Sequence, residues 1–375
     1  MKKTSSSEII NVTKSYLPSL EEYISEISTL WENHYLTNYG ELNDKLVKNL
    51  KKYLKTEKLH YVSNGTIALQ LAISALNIQC GEIITTPFTF ASTTHAIVQN
   101  GLTPVFCDIR EDNYTIDANK IESLITEKTS AIVAVHVYGT ACDVEKIEEI
   151  AKKHNLKVIY DAAHAFGVEY KNKSIASYGD MSIFSFHATK VFNTIEGGAI
   201  AYKDSKMLKK LEQLKNFGIV DSEHVSMPGM NCKMNEFQAA MGLCNLRHVS
   251  TEIEKRKKVV EYYDKKLKGV KGIKLLTKEK NLKYNYAYYP IVILDEYKYS
   301  RDALYMLLSE NGIFSRKYFY PLTSDFECYK NKYDSSNTPI ARDIASRVLT
   351  LPLYANLEIE DVDRICNLII KFGQE

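Results

Sequence analysis

Three segments of the chain carry side chains whose types and spacing could do chemistry. In SNGTIALQLAISAL, residues 63–76, a small polar turn runs directly into an apolar helix pattern. Such a turn presents unpaired backbone N–H groups at a helix N-terminus, where the macrodipole also favours negative charge. Gly65 and Thr66 are therefore candidates to cradle a phosphate, although an ordinary cap of Ser, Asn and Thr reads the same way. In VIYDAAHAFG, Asp161 closes a run with strand character, and parallel α/β sheets bind ligands beyond that edge. A helix-capping aspartate is the alternative there. His164, three residues on, either contacts the same ligand or is a satisfied buried imidazole. In SIFSFHATKVFNTIEGGAI, residues 182–200, Ser185 and Lys190 flank His187, and Gly197 and Gly198 close the segment.

Alone, a lysine after a strand is a solvated cation. Together, a phosphate cradle, a strand-end carboxylate and a lysine 29 residues later form the set that pyridoxal 5'-phosphate requires. The lysine forms a Schiff base, the acid keeps the pyridine nitrogen protonated, and the helix N-terminus takes the phosphate.

Those side chains need a scaffold. Between about residues 60 and 205, EIITTP, TPVFCDI, TSAIVAVHVYG and LKVIYDAAH read as buried strands. DVEKIEEIAKKHN, between the last two, places Val144, Ile147, Ile150 and Ala151 at helical spacing behind an Asp143 cap. Strand, helix, strand implies parallel pairing with right-handed crossovers, hence an α/β layer. Upstream, SLEEYISEISTLWEN predicts a helix beside this body, with Ser19 and Glu22 at capping-box spacing and Leu20, Ile24, Ile27 and Leu30 on one face. After residue 250 the lysine-rich RKKVVEYYDKKLKGVKG and then YAYYPIVIL mark a change to a smaller α+β texture. The lysine run reads as a solvated helix face, with an anion-binding surface as the alternative. The expected organisation is an N-terminal segment over 1–40, a large α/β domain over 41–250 and a small α+β domain over 251–375.

Composition bounds the function. The chain has 375 residues, 45% hydrophobic and 25% charged, with 48 Lys and Arg against 46 Asp and Glu, a formal net charge of +2. That composition specifies a packed core and gives no dominant basic field for nucleic acid. Seven cysteines without a C-x-x-C pair point to a reducing compartment and no metal site. No apolar stretch of signal-peptide or membrane-spanning length is visible, so a cytoplasmic protein without membrane contact is expected.

The wording of these segments resembles the DegT/DnrJ/EryC1/StrS sugar aminotransferases through nearly the whole chain. The resemblance is carried by LTNYG (36–40), SNGTIALQLA, TTPFTFASTTHAI, AVHVYG, YDAAHAFG, SFHATK, EGGAI and GMNCKMNEFQAAMGL (229–243). HATKVFNTIEGGAI, DAAHAFG and YFYPLT are most similar to the VioA-type branch, which makes dTDP-4-amino-4,6-dideoxyglucose from the 4-keto-6-deoxy sugar nucleotide. The resemblance implies the aspartate-aminotransferase-like fold type I of pyridoxal-phosphate enzymes, a large mostly parallel sheet domain with a smaller α+β domain. It implies Lys190 as the lysine bonded to the cofactor, Asp161 as partner of the pyridinium nitrogen and His164 near the phenolic oxygen. Gly65, Thr66 and Ser185 match phosphate contacts. Phe90 matches an aromatic stacked on the pyridine ring, with Phe88 as the core alternative, and Asn231 matches a residue that reaches the cofactor of a neighbouring subunit.

That last match implies a homodimer with shared active sites, and the resemblance as a whole implies L-glutamate and a nucleotide-linked keto sugar as substrates, for glycan or polysaccharide biosynthesis. An aminotransferase acting on a 3-keto sugar and a non-catalytic pyridoxal-phosphate-binding regulator are the alternatives. Lys190 argues against the related dehydratases, which carry histidine in its place. The chain departs from the family pattern at Cys232 and Lys233, where many members have Tyr and Arg, and at Thr323, where many have His. Lysine keeps the charge but not the bidentate geometry.

Overall fold

The computed structural model describes residues 9–78 and 80–374, so the first eight residues of the expected N-terminal segment lie outside the described residues. In chain order, α1 (Leu20–Ile27), α2 (Thr29–Asn33) and α3 (Glu41–Tyr53) precede β1 (Leu59–Val62) and α4 (Gly65–Ala75). Then come β2 (Glu82–Thr85), α5 (Ala91–Gln99), β3 (Thr103–Phe106), α6 (Ala118–Ile121), β4 (Thr129–Val135), α7 (Val144–His154) and β5 (Lys157–Asp161). A short pair, β6 (Glu169–Tyr170) and β7 (Lys173–Ser174), leads to β8 (Met181–Ser185), β9 (Gly198–Tyr202) and α8 (Met207–Lys215). The long α9 (Glu236–Leu267) is followed by β10 (Ile273–Leu275), β11 (Leu282–Lys283), β12 (Tyr289–Ile293) and α10 (Arg301–Glu310). The chain closes with α11 (Pro339–Arg347), β13 (Val348–Leu351) and α12 (Ile359–Gln374).

Each expected strand run forms a strand of one seven-stranded sheet, ordered β1-β9-β8-β5-β4-β2-β3. Strands β3, β2, β4, β5 and β8 pair in parallel, whereas β9 runs antiparallel to both β8 and β1. Period-two alternation drives its burial on both sides. Ile83, Val133 and Ile159 pack in one core with α4 and α5, while their neighbours Ile84, Ile132 and Val158 pack in another with α7. The Asp143 carboxylate caps α7, accepting from the Lys146 amide at 3.1 Å.

A three-stranded antiparallel sheet, β10-β12-β13, organises the C-terminal part. The expected division at residue 250 falls inside the continuous α9. Leu243, Val249 and Ile253 of that helix pack in the core of the large sheet, and Val259, Val260, Tyr263 and Leu267 in that of the small one. Ile10 bridges to Ile313 and joins the second core, so the N-terminal stretch also contributes to the C-terminal part.

The N-terminal helix differs from expectation. Ser19 caps it, accepting from the Glu22 amide at 3.1 Å, but the Glu22 carboxylate accepts from Arg247 and His248 of α9 instead of closing a capping box. The helix breaks at Ser28, and its packed face is Tyr23, Ile27 and Leu30, leaving Leu20 67% and Ile24 52% exposed. Further on, Glu236 is buried and accepts from the Leu42 and Asn43 amides at 2.8 and 3.2 Å, capping α3. A Cβ on Gly40 would collide with that carboxylate. LTNYG and GMNCKMNE are thus two halves of one contact.

Candidate active site

A cavity of about 620 Å³ opens at the carboxyl ends of β5 and β8, the edge where parallel sheets take ligands. Gly65, Thr66, Phe90, Asp161, His164, Ser185 and Lys190 all line it. Sequence positions more than a hundred residues apart meet there because β1, β8 and β5 are near neighbours in the sheet.

The wall formed by α4 follows from its cap. Asn64 accepts from the Ile67 amide at 2.9 Å, leaving the Gly65 and Thr66 amides ahead of any i−4 acceptor within the helix. A Cβ at position 65 would lie 2.7 Å from the Ser185 Cβ, so only glycine lets the helix start approach the end of β8 this closely. The Thr66 hydroxyl lies 2.7 Å from that of Ser92 on α5. Amides at a helix start, with hydroxyls from three segments, form an anion cradle.

Asp161 ends β5 and is only 5% exposed. It accepts from the Thr93 hydroxyl at 2.8 Å and from the Ala163 amide at 3.1 Å, and Thr93 in turn lies 2.9 Å from the Thr89 hydroxyl. Burial pushes its carboxyl above the ordinary range, against the opposing pull of those two donors and the Lys190 charge. His164 accepts from the Tyr138 amide through Nδ1 at 3.1 Å, which leaves Nε2 as the proton-bearing nitrogen. Burial, reinforced by the Lys190 charge, holds this imidazole well below its usual pKa, hence neutral. Lys190 sits in the turn after β8, with its amide donating to the His187 carbonyl at 2.9 Å and its Nζ donating to the Tyr288 hydroxyl at 3.4 Å.

The Phe88 and Phe90 alternatives separate. Phe88 is fully buried against Tyr114, Tyr138 and Phe319, while Phe90 caps α5 at 57% exposure on the cavity wall. Asn231 is not brought to this cavity. It lies exposed on the excursion between α8 and α9, bridged to Asn216, and accepts from Lys233 Nζ at 2.8 Å. Lys233 also donates to Asn216 Oδ1 at 2.9 Å, so its charge is engaged within the excursion. Thr323 is buried and bonded to Thr94 and Pro87. It ties the C-terminal part to α5 and does not face the cavity.

Several residues that build the site escaped the sequence reading. Thr93 and Ser92 sit in TTPFTFASTTHAI, where a hydroxyl run just after an aromatic offered a signal. Tyr288, Tyr318 and Phe319 come from the C-terminal part, within YAYYPIVIL and YFYPLT, and no local pattern pointed to the cavity. His187 and Glu196 line its mouth, 3.7 Å apart.

A pH consequence follows from the buried imidazoles. His136 is stacked on Tyr160 and pushed down by burial to about 3, and His164 is likewise depressed. A histidine depressed in the fold favours folding above its unfolded pKa near 6.5, and that contribution fades as pH falls toward the folded value. The cofactor-free protein should lose up to about 1.4 kcal/mol per histidine for each pH unit below 6.5. Urea melts of Asp161→Asn, which lacks the opposing contribution of the raised carboxyl, at pH 7.5, 6.5 and 5.5 measure this, and a flat midpoint in that variant would contradict it.

The cavity suits pyridoxal 5'-phosphate on its own geometry. A cradle that excludes a side chain at position 65, a carboxylate raised by its burial, a neutral N–H donor and a primary amine surround one space. Among the described residues, no group of three His, Cys, Asp or Glu side chains is arranged to hold a metal ion. No described helix is long and apolar enough to cross a membrane.

Comparison with known proteins identifies the family and the fold. The model of the DegT/DnrJ/EryC1/StrS aminotransferase family matches residues 19–370. A dTDP-4-amino-4,6-dideoxy-D-glucose transaminase of Shigella dysenteriae is 44% identical over 360 residues, spanning 96% of this chain and 98% of its own. A protein of the same name from Escherichia coli is 46% identical over 366 residues, again spanning 96% and 98%. Among solved structures, DesI in the presence of its TDP-sugar product superposes with a TM-score of 0.93 at 28% identity, covering 98% of this chain and 93% of that one. With a mostly parallel sheet, a lysine and a carboxylate at its carboxyl edge and a match along nearly its full length, the chain belongs to the DegT/DnrJ/EryC1/StrS aminotransferase family.

Proposed function

We propose that this pyridoxal-phosphate-dependent aminotransferase moves the amino group of L-glutamate to C4 of dTDP-4-dehydro-6-deoxy-D-glucose, giving dTDP-4-amino-4,6-dideoxy-D-glucose for glycan or polysaccharide biosynthesis. The observation that carries the sugar assignment is 44–46% identity, over almost the whole chain, to two relatives named for that product. The same observation disfavours the 3-keto sugar.

When bound, the cofactor supplies an aldehyde carbon that condenses with amines and a pyridinium ring that spreads negative charge. The residues divide the remaining work. Lys190 would hold the cofactor through Nζ and, once free as an amine, would take a proton from the donor α-carbon and return it at C4′. Asp161 keeps the ring nitrogen protonated. His164, neutral with its proton on Nε2, would offer that N–H to the phenolic oxygen. Gly65, Thr66 and Ser185 would hold the phosphate, and Phe90 would pack against the ring.

The nucleotide's charge needs further partners. Lys190 is the one lysine among the described lining residues, and no arginine is among them. We infer a cytoplasmic homodimer in which Asn231 serves the cavity of a second copy. Its excursion exposes Phe217, Ile219, Val220 and Val225, an apolar cluster that association would cover.

The test is spectroscopic. L-glutamate should deplete the visible band of the lysine-bound cofactor and release one equivalent of 2-oxoglutarate. The dTDP-4-keto-6-deoxy sugar should then restore the band and gain an amino group by mass spectrometry. A band that responds to glutamate but not to this sugar would refute the sugar assignment and leave the family intact.

A further inference from the structure

Tyr288 occupies a position that the functional reading has not used. It precedes β12 in the C-terminal part, yet its hydroxyl accepts from Lys190 Nζ at 3.4 Å across the cavity. The nitrogen is 5.8 Å from the centroid of the same ring. Being so much nearer the oxygen, it sits off the hydroxyl end of the ring and not over its face, so the contact is a hydrogen bond and not a cation–π pair.

The placement is built, not incidental. The buried Asn285 donates to the carbonyls of His164 and Phe166 at 2.8 and 3.0 Å, pinning the segment before β12 to the loop after β5. The Tyr288 ring is then held among His164, Tyr138 and Tyr318, with centroids at 4.6, 6.0 and 5.9 Å. With its sides packed by rings, the residue presents its hydroxyl toward Lys190.

We propose that Tyr288 is a positioning residue for Lys190, holding Nζ in one place whether it is amine or ammonium. The chemistry favours a phenol for this task. A carboxylate partner would stabilise only the ammonium and so disfavour the state that takes a proton. A neutral hydroxyl accepts from the ammonium and donates to the amine lone pair, following the proton in both directions. The inference rests on the reading of Lys190 as the acid–base group.

The experiment compares wild type with Tyr288→Phe, first without turnover. Cofactor-free protein mixed with pyridoxal phosphate should show a capture phase and then condensation of Nζ with the aldehyde, one C=N bond formed and one water lost. The variant should capture the cofactor with unchanged affinity, condense about tenfold more slowly, and lose kcat by a similar factor with both KM values and the melting temperature unchanged. Wild-type condensation and kcat in the variant would overturn the proposal. So would slowing accompanied by a lowered melting temperature, if Tyr288→Met, which also lacks the hydroxyl, condensed at the wild-type rate. Borohydride trapping separates the two levels: a wild-type adduct on a residue other than Lys190 defeats the functional reading, whereas equal trapping rates on Lys190 in both proteins defeat only the role of Tyr288.

Discussion

Lys190→Ala is expected to lower turnover by at least about 10⁴-fold, because one side chain both tethers the cofactor and moves the proton. The fold should survive, since Lys190 lies in a turn at the cavity wall and outside every core cluster. Non-covalent capture of pyridoxal phosphate should persist through the cradle at Gly65, Thr66 and Ser185. Borohydride should no longer fix the cofactor to the protein. Lys190→Arg should be nearly as inactive, because a guanidinium stays charged and can neither condense nor accept a proton. Steady-state rates together with peptide mapping of the reduced adduct decide the matter. Turnover within tenfold of wild type in Lys190→Ala would remove this residue from the chemistry.

The second large effect is at Asp161, where activity and stability should move in opposite directions. A carboxylate beside the pyridine nitrogen raises the pKa of that cation by roughly 1 to 3 units, so Asp161→Asn should cost about 10- to 1000-fold in turnover. Asparagine can still accept from the Ala163 amide, and Thr93 can turn to accept from its amide while donating to Thr89. The stability sign follows from the raised carboxyl of Asp161. A group whose folded pKa exceeds its unfolded value favours the fold below the unfolded value and loses that contribution as pH rises through the folded one. Above the unfolded value the cofactor-free wild type therefore carries the cost of burying this carboxyl, a cost that asparagine lacks. Cofactor-free Asp161→Asn should melt at or above the wild-type temperature at pH 7.5, with the advantage shrinking as pH falls toward the unfolded carboxyl value of about 3.9. The histidine contribution is common to both proteins and drops out of the difference. A variant that is both fully active and less stable would contradict each half.

The legible parts of this chain share a cause: they are local. Ile83 to Thr85, Ala131 to Val135 and Val158 to Tyr160 are short β-branched or apolar runs between turn residues, and each became the strand its composition specified. Asp143 capped α7 because a carboxylate two or three residues before free amides has few other partners. The apolar face of α1 was misread for the complementary reason. Residues 20–30 carry two overlapping helical stripes, the expected Leu20-Ile24-Ile27-Leu30 and the packed Tyr23-Ile27-Leu30, and periodicity cannot say which one meets α9. Phe88 and Phe90 stayed ambiguous until the rings at Tyr114, Tyr138 and Phe319 claimed the former.

By itself the sequence determined the order of strands and helices, the glycine that opens a helix, the acid that ends a strand, and the lysine that follows. These depend on backbone preference and short-range capping, which a few neighbouring residues settle. The tertiary structure alone decided that Thr93 would brace Asp161, that Glu236 would cap a helix starting nearly two hundred residues earlier, and that Tyr288 would meet Lys190. Such contacts arise where a sheet order and a returning C-terminal part bring distant side chains to one edge. Their partners are set by packing across the fold, which no window of local periodicity contains.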